Sequence, residues 1–384
     1  MSTSTIGNYD VVVVGGGAAG VGVGVALKHA GIENFVIIER ERIGASFAKW
    51  PAETRFITPS FPTNSIGMLD LNSVALGISP AFSLEVEHPT GLEYADHLHG
   101  VAGFYELPVA MPISVEEVNR EDDIFQLRTS KGTVSTRHLI WAAGEFQYPL
   151  EGSFEGCELC RHTSTVPSYN DLEGEDFVVI GGYESGIDAA YHLGQRDKLV
   201  RVFDRDAPWE KASPDPSVSL SPFTLQRMRK DWFFEKVNLF QTQVASVTRD
   251  EEGYLVTTQD GSTFSTDAPP LWARGFAGSH TTIADFCELR EDGFPLLNEY
   301  DESTVTPGLF LCGPAVRHDS HIFCFIYKYR QRFAVVAKTI ATALGLPAEG
   351  LDVYRMWGMY LDDLSCCGED CVCSQREART KVTA

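Results

Sequence analysis

The sequence predicts an α/β protein of two Rossmann-like, three-layer dinucleotide-binding domains, the second inserted in the first. Three observations carry that expectation. Val11–Val14 runs into Gly15-Gly16-Gly17-Ala18-Ala19-Gly20, with Glu39 nineteen residues beyond Gly20. The pattern returns between Asp176 and Asp204. Each copy is followed by an apolar run ending in glycine, at Gly144 and Gly275. Four consecutive valines read as a strand buried on both faces, as in a parallel sheet. Gly15 permits the tight turn off that strand, Gly17 lets a pyrophosphate approach the backbone, and Gly20 lets the next helix pack on the sheet. That helix, from Ala18 to about Ala30, aims its positive N-terminus at the phosphates. The strand Asn34–Glu39 then ends in a carboxylate suited to a ribose 2′-hydroxyl.

In the second copy the strand Asp176–Ile180 leads into Gly181-Gly182-Tyr183-Glu184-Ser185-Gly186. A helix from Ile187 to about Gly194 and a strand ending at Asp204 follow, with eighteen residues from Gly186 to that acid. Strands at Ile124–Thr129 and Tyr254–Thr258, with turns at Lys131-Gly132 and Asp260-Gly261, precede the apolar runs Leu139–Gly144 and Leu271–Phe276. Pro307–Pro314 reads as a last buried strand, and a helix from about Phe325 to Leu344 ends near Gly345 and Pro347.

At 384 residues the chain can bury two substantial cores, and 43% apolar with 22% charged residues is ordinary for a soluble globular protein. A net charge of −22 and a pI near 4.8 argue against nucleic acid or anionic membranes as general partners. Met1–Asn8 is polar and the apolar run after it is broken by glycines, so neither a secretory signal nor a membrane span is expected. Nine cysteines without such a signal suggest a reducing, cytoplasmic setting.

The ordered set of motifs over residues 8–345 resembles the two-dinucleotide-binding-domain flavoproteins, the group of thioredoxin reductases, bacillithiol disulfide reductase-like enzymes and flavin-containing monooxygenases. The resemblance implies FAD on the first fingerprint (Gly15, Gly17, Ala18, Ala19, Gly20), with Glu39 on the ribose and Arg40, Trp50 and Val115 among the contacts. Ala143-Gly144 resembles the element linking the domains, and Cys312-Gly313 the late element that sets a helix N-terminus against the flavin. Pro314 stands where the family has Asp, so its contact with the cofactor must differ. The implied organisation is an FAD domain in two parts (1–150 and 285–360), an NAD(P)-binding-like domain between them (151–284), and a Cys-rich tail (361–384). A homo-oligomer acting on a small-molecule substrate, with a redox protein as a further partner, is expected.

The second fingerprint (Gly181, Gly182, Tyr183, Glu184, Ser185, Gly186) implies NADH or NADPH. Tyr183 replaces the glycine that keeps the pyrophosphate path clear, and it would strain the backbone or obstruct the site, unless it swings outward or stacks on a ring. The alternative is a retained fold without nicotinamide chemistry. Asp204 favours NADH, while Arg205 beside it can receive a 2′-phosphate.

For the chemistry, Cys157-Glu158-Leu159-Cys160 invites comparison with a redox CxxC, but Gly156–Arg161 reads as extended, which turns the two sulfurs to opposite faces. Cys324 near the start of the long helix would sit in a field that stabilises thiolate, with a buried cysteine among Phe323 and Phe325 as the favoured alternative, and His318 and His321 could serve as acid–base groups. Cys366, Cys367, Cys371 and Cys373 place four thiols in eight residues, readable as a redox shuttle, a soft-metal or iron–sulfur site, or inert cysteine. The implied activity is NAD(P)H oxidation through FAD. The absent well-placed CxxC leans towards oxygen as acceptor (a monooxygenase), and the Cys-rich tail towards a disulfide.

Overall fold

The computed structural model describes residues 5–61, 69–213 and 217–365. Strand β1 (Thr5–Val14) lies at the centre of the first sheet. Val11–Val14 run parallel to β2 (Phe35–Ile38) on one side and to residues 138–141 of β6 (Gly132–Trp141) on the other. The four valines are 0–7% exposed, which is why β-branched residues fill both faces. β3 (Val109–Ala110) extends the sheet beyond β2, while β15 (Leu309–Leu311) pairs in parallel with β6. β4 (Val115–Glu121) and β5 (Ile124–Thr129) form an antiparallel meander with β6. Helices α1 (Ala18–His29) and α5 (Ile326–Ala343) pack together on this sheet. Their approach needs a glycine, since a Cβ on Gly22 would meet the Phe333 ring at 2.1 Å. α2 (Gly91–Phe104) starts from a capping box in which Thr90 and Glu93 exchange hydrogen bonds.

The second unit lies between β6 and β15 in the chain. Its parallel sheet has the order β10-β9-β8-β14-β7, with β7 Arg161–His162, β8 Asp176–Ile180, β9 Leu199–Asp204, β10 Val237–Gln241 and β14 Leu271–Trp272. Alternate residues of β8 face two different layers. Phe177 and Val179 pack with Ile187, Ala190 and Leu193 of α3 (Glu184–Gln195). Val178 and Ile180 pack with Val244, Val247 and Val256 of an antiparallel sheet, β11 (Val244–Arg249), β12 (Tyr254–Thr258) and β13 (Thr263–Thr266). The expected fold class is therefore observed, with the second unit inserted in the first. α3 begins at Glu184, three residues earlier than the pattern suggested, with the Tyr183 carbonyl accepting from Gly186 N and Ile187 N.

His97 on α2 is buried, with Nδ1 2.6 Å from the Ser83 hydroxyl. Burial lowers its pKa to about 4, against a smaller opposing pull from Asp70. Near pH 7.5 the ring is neutral both folded and unfolded. As pH falls below about 6.5 the unfolded chain gains a proton that the folded chain resists until about 4. Stability should drop by up to about 3 kcal/mol across that window. Denaturant melts at both ends should show a smaller acid-induced loss for His97→Gln; an equal loss would count against this account.

Candidate functional site

The two glycine turns are close geometric copies. Gly15 and Gly181 adopt φ of 109° and 110°, the left-handed side that favours glycine. Their N–H groups donate to Ile38 O and Phe203 O, both at 2.8 Å, tying each turn to the end of the neighbouring strand. Glu39 accepts from the N–H of Gly16 (2.6 Å) and of Glu41 (2.7 Å). Asp204 accepts in the same way from Gly182 and Asp206, both at 2.8 Å. Both carboxylates are buried, so one acid per unit holds its turn. A Cβ on Gly20 or Gly186 would stand 1.8 Å from the carbonyl oxygen of Gly15 or Gly181 respectively.

Tyr183 does not strain its turn, contrary to the expectation from sequence. Its φ and ψ are −80° and −167°, against −82° and −167° for Gly17, a conformation open to any residue. Glycine matters at that position for room. A Cβ on Gly17 would meet nothing within 4 Å, which leaves the path over the first turn clear. The Tyr183 side chain is 38% exposed and takes no part in the cavity wall. Among the described residues it makes no ring stacking or hydrogen bond, so it can move aside at the cost of a rotamer change. Asp204 is buried, whereas Arg205 lies at the surface in an ion pair with Asp206 at 3.1 Å. Trp209 covers Gly182, where an added Cβ would meet its ring at 2.4 Å.

A cavity of about 710 Å³ runs from the first turn to the junction of the two units. Gly15, Gly17, Ala18, Ala19, Glu39 and Arg40 line its first end. Trp50, Val115, Ala143, Gly144, Pro314 and Cys324 line it further along. Glu184 and Ser185 reach it from the second unit, whereas Gly181, Gly182, Tyr183, Gly186, Asp204 and Arg205 are not in its wall, nor are Gly20 and Gly313. Gly20 lies under the turn, and Gly313, at φ 109°, shapes the chain between β15 and Pro314.

The segment after Trp50 clasps the second unit. Glu53 accepts from Ser168 Oγ (2.6 Å) and Tyr169 N (2.9 Å), and these bonds hold its carboxyl low against the opposing effect of burial. Thr54 Oγ1 donates to Asp188 at 2.6 Å, and Asp188 accepts from Arg227 at 2.7 Å. Glu184 is held by Ser221 N and Thr224 Oγ1, where α4 (Pro222–Met228) starts. Sequence reading missed Asp188, Arg227 and Glu145 as wall residues. Glu145 alone had a usable signal, directly following Gly144.

Several expectations about the chemistry need correction. Cys157–Leu159 is a single 3₁₀ turn, not extended, because Gly156 enters it at φ 76°. The two cysteines are nevertheless free thiols, and burial pushes Cys160 up to about 12 while its side chain packs beneath the sheets. That environment disfavours the thiolate a redox pair needs. Cys324 precedes the Phe325 cap of α5, and burial raises its pKa, outweighing Ser217, Lys328 and Arg317. His318 is buried with Nε2 2.5 Å from Asp301, and neither it nor His321 lines the cavity. His321 packs on Phe323 in the hairpin of β16 (Arg317–His318) and β17 (His321–Ile322). Cys366, Cys367, Cys371 and Cys373 lie outside the described residues. Among those described, no group of three or more His, Cys, Asp or Glu is placed to hold a metal, and no helix is long and apolar enough to cross a membrane.

Residues 12–313 match the family model for pyridine nucleotide-disulphide oxidoreductases. The chain belongs to that family. It is an FAD-dependent oxidoreductase, and members of the family bind FAD and NAD(P)H. The first turn fits FAD, with open space over Gly17, a buried acid at the ribose position and a cavity leading away from both. The chain is 24% identical over 344 residues to the bacilliredoxin reductase Bdr of Bacillus subtilis, covering 86% of this chain and 97% of that protein. An uncharacterized CzcO-like oxidoreductase of Geobacillus kaustophilus is 26% identical over 241 residues, and the match spans 63% of its length. Among solved structures, the bacillithiol disulfide reductase Bdr of Staphylococcus aureus has a TM-score of 0.71 at 22% identity, covering 88% of this chain and 99% of that one. A flavin-containing monooxygenase of Stenotrophomonas maltophilia has a TM-score of 0.68 at 16% identity, covering 88% and 100%. Both structures share the fold.

Proposed function

We propose that the chain is an NAD(P)H-dependent flavoprotein that reduces a disulfide. The observation that carries this reading is the similarity to a bacilliredoxin reductase along nearly the whole of both chains. The lack of a well-placed CxxC does not weigh against a reductase whose thiol lies elsewhere. Cys324 is a thiol in the cavity wall, with its pKa raised by burial as that of Cys160 is.

Gly15, Gly17, Glu39 and the N-terminus of α1 would hold FAD, which when bound supplies the two-electron chemistry between nicotinamide and acceptor. Gly181, Gly186 and Asp204 would hold the nicotinamide cofactor once Tyr183 turns away. Asp204 and Asp206 put two carboxylates at the ribose end, and Arg205 is spent on Asp206, so NADH is favoured over NADPH. Glu53 and Thr54 fix the two units around the cavity, and Asp188 and Arg227 neutralise each other in its wall. Reduced protein mixed anaerobically with a small disulfide should regain the oxidised flavin spectrum within one turnover and release two thiols per flavin. Reoxidation by air alone, with the disulfide untouched, would replace this reading with the oxygen-dependent one.

A further inference from the structure

The charges in the cavity wall are matched with one exception. Glu39 holds two backbone N–H groups, and Glu41 pairs with Lys49 and Arg40. Glu184 is held by Ser221 and Thr224, Asp188 and Arg227 bond each other, and Arg55 donates to His88 O. Glu145 has no such partner. Its backbone is fixed, since Tyr148 N donates to Glu145 O at 2.8 Å and Ser279 N to Gly144 O at 2.9 Å. Its side chain lines the cavity, yet among the described residues no donor reaches its carboxylate and no ion pair includes it.

The charged and titratable groups facing Glu145 are Arg317, Cys324 and Tyr329. Arg317 is committed to the carbonyls of Pro314 and Val316 and lies 4.1 Å over the Phe294 ring, so it offsets part of the Glu145 charge without pairing with it. Cys324 and Tyr329 line the same wall and bring no positive charge. Glu145 is half-buried in the cavity wall, where burial raises its pKa and Arg317 opposes the shift, and among the described residues no protein group pairs its charge. Such a group is stabilised by a cation that arrives with the ligand, and the net charge of −22 draws cations towards the protein.

We propose that Glu145 is the recognition site for an ammonium group on the substrate, so that the preferred substrate is a small disulfide bearing a primary amine. Its identity as a disulfide rests on the reading above; the ammonium site does not. Cystamine and dithiodipropionate carry the same two-carbon arms on either side of a disulfide, with opposite charges. With intact holoprotein, kcat/KM for cystamine should exceed that for dithiodipropionate by about tenfold or more, chiefly through KM. Glu145→Gln should raise the KM for cystamine by about tenfold, leave dithiodipropionate unharmed and retain bound flavin. Glu145→Lys should reverse the preference.

Hexamethylenediamine, in which two methylenes replace the disulfide, gives a readout without turnover. It should perturb the oxidised flavin spectrum of the wild-type protein and fail to do so in Glu145→Gln. Equal use of the two disulfides, or diamine binding that survives Glu145→Gln, would overturn the proposal. A protein that reduces neither disulfide but binds the diamine through Glu145 would keep the ammonium site and remove the disulfide-reductase reading.

Discussion

Gly20→Ala should yield a protein without FAD. The added Cβ would stand 1.8 Å from Gly15 O and 2.9 Å from the Gly15 carbonyl carbon. Neither atom can yield as a side-chain tip would. Gly15 is itself held by its N–H bond to Ile38 O, and α1 packs against α5 on its other side. Relief requires α1 to tilt away from the strand end, which moves the N–H groups that face the phosphates. Affinity for FAD should fall by about a hundredfold or more. Visible absorbance after gel filtration reads this directly, and a yellow Gly20→Ala protein with full flavin content would contradict it. Gly186→Ala makes the same contact with Gly181 O and should act differently. It should keep FAD and lose reduction by NADH, separating the two turns that look alike in sequence.

Arg332→Met should destabilise the fold by about 3–5 kcal/mol, the range for breaking a buried ion pair from one side. The guanidinium is 1% exposed, with Nε 2.9 Å from Asp301 Oδ2 and Nη2 2.9 Å from Oδ1. Nη2 also donates to Glu299 O at 2.6 Å, and Nη1 to Leu361 O. Asp301 is fully buried, and without Arg332 only His318 would remain beside it. The cluster ties α5 to the chain before β15, so its loss should loosen the segment that leads to Pro314 and Cys324. Urea melts should show the full cost in Arg332→Met. Part of it should return when Asp301→Asn is added, since the stranded charge is then gone. A loss below about 1 kcal/mol would show that the pair contributes little to stability.

The sheets were legible because burial on both faces forces continuous β-branched runs. Val11–Val14 and Phe177–Ile180 could not be mistaken for half-exposed strands. The glycine turns were legible for a related reason, since Gly15, Gly20, Gly181 and Gly186 are fixed by backbone contacts that no side chain can satisfy. Local conformation at the odd positions was less legible. Tyr183 looked strained because a glycine usually stands there, yet its φ of −80° shows that the position needs room and not flexibility. Cys157–Cys160 looked extended because a single glycine at φ 76° upstream leaves no pattern of its own. His318 and His321 looked placed for chemistry because they follow the strand that leads to the cavity. The hairpin of β16 and β17 instead turns His318 towards Asp301. Glu145 was legible as a neighbour of Gly144, but its lack of a partner was not. Its isolation is a property of every other charge in the wall, which only the tertiary structure pairs off.

The central claim is that both glycine turns work in series, the second admitting a nicotinamide cofactor past Tyr183 to reduce FAD held at the first. Anaerobic addition of NADH to the holoprotein tests it most directly. The flavin absorbance should bleach in a single rapid phase, faster with NADH than with NADPH. Tyr183→Gly should speed the step or leave it unchanged, and Gly186→Ala should abolish it. A flavin that stays oxidised with either nucleotide in the wild-type protein, yet bleaches with dithionite, would contradict the account.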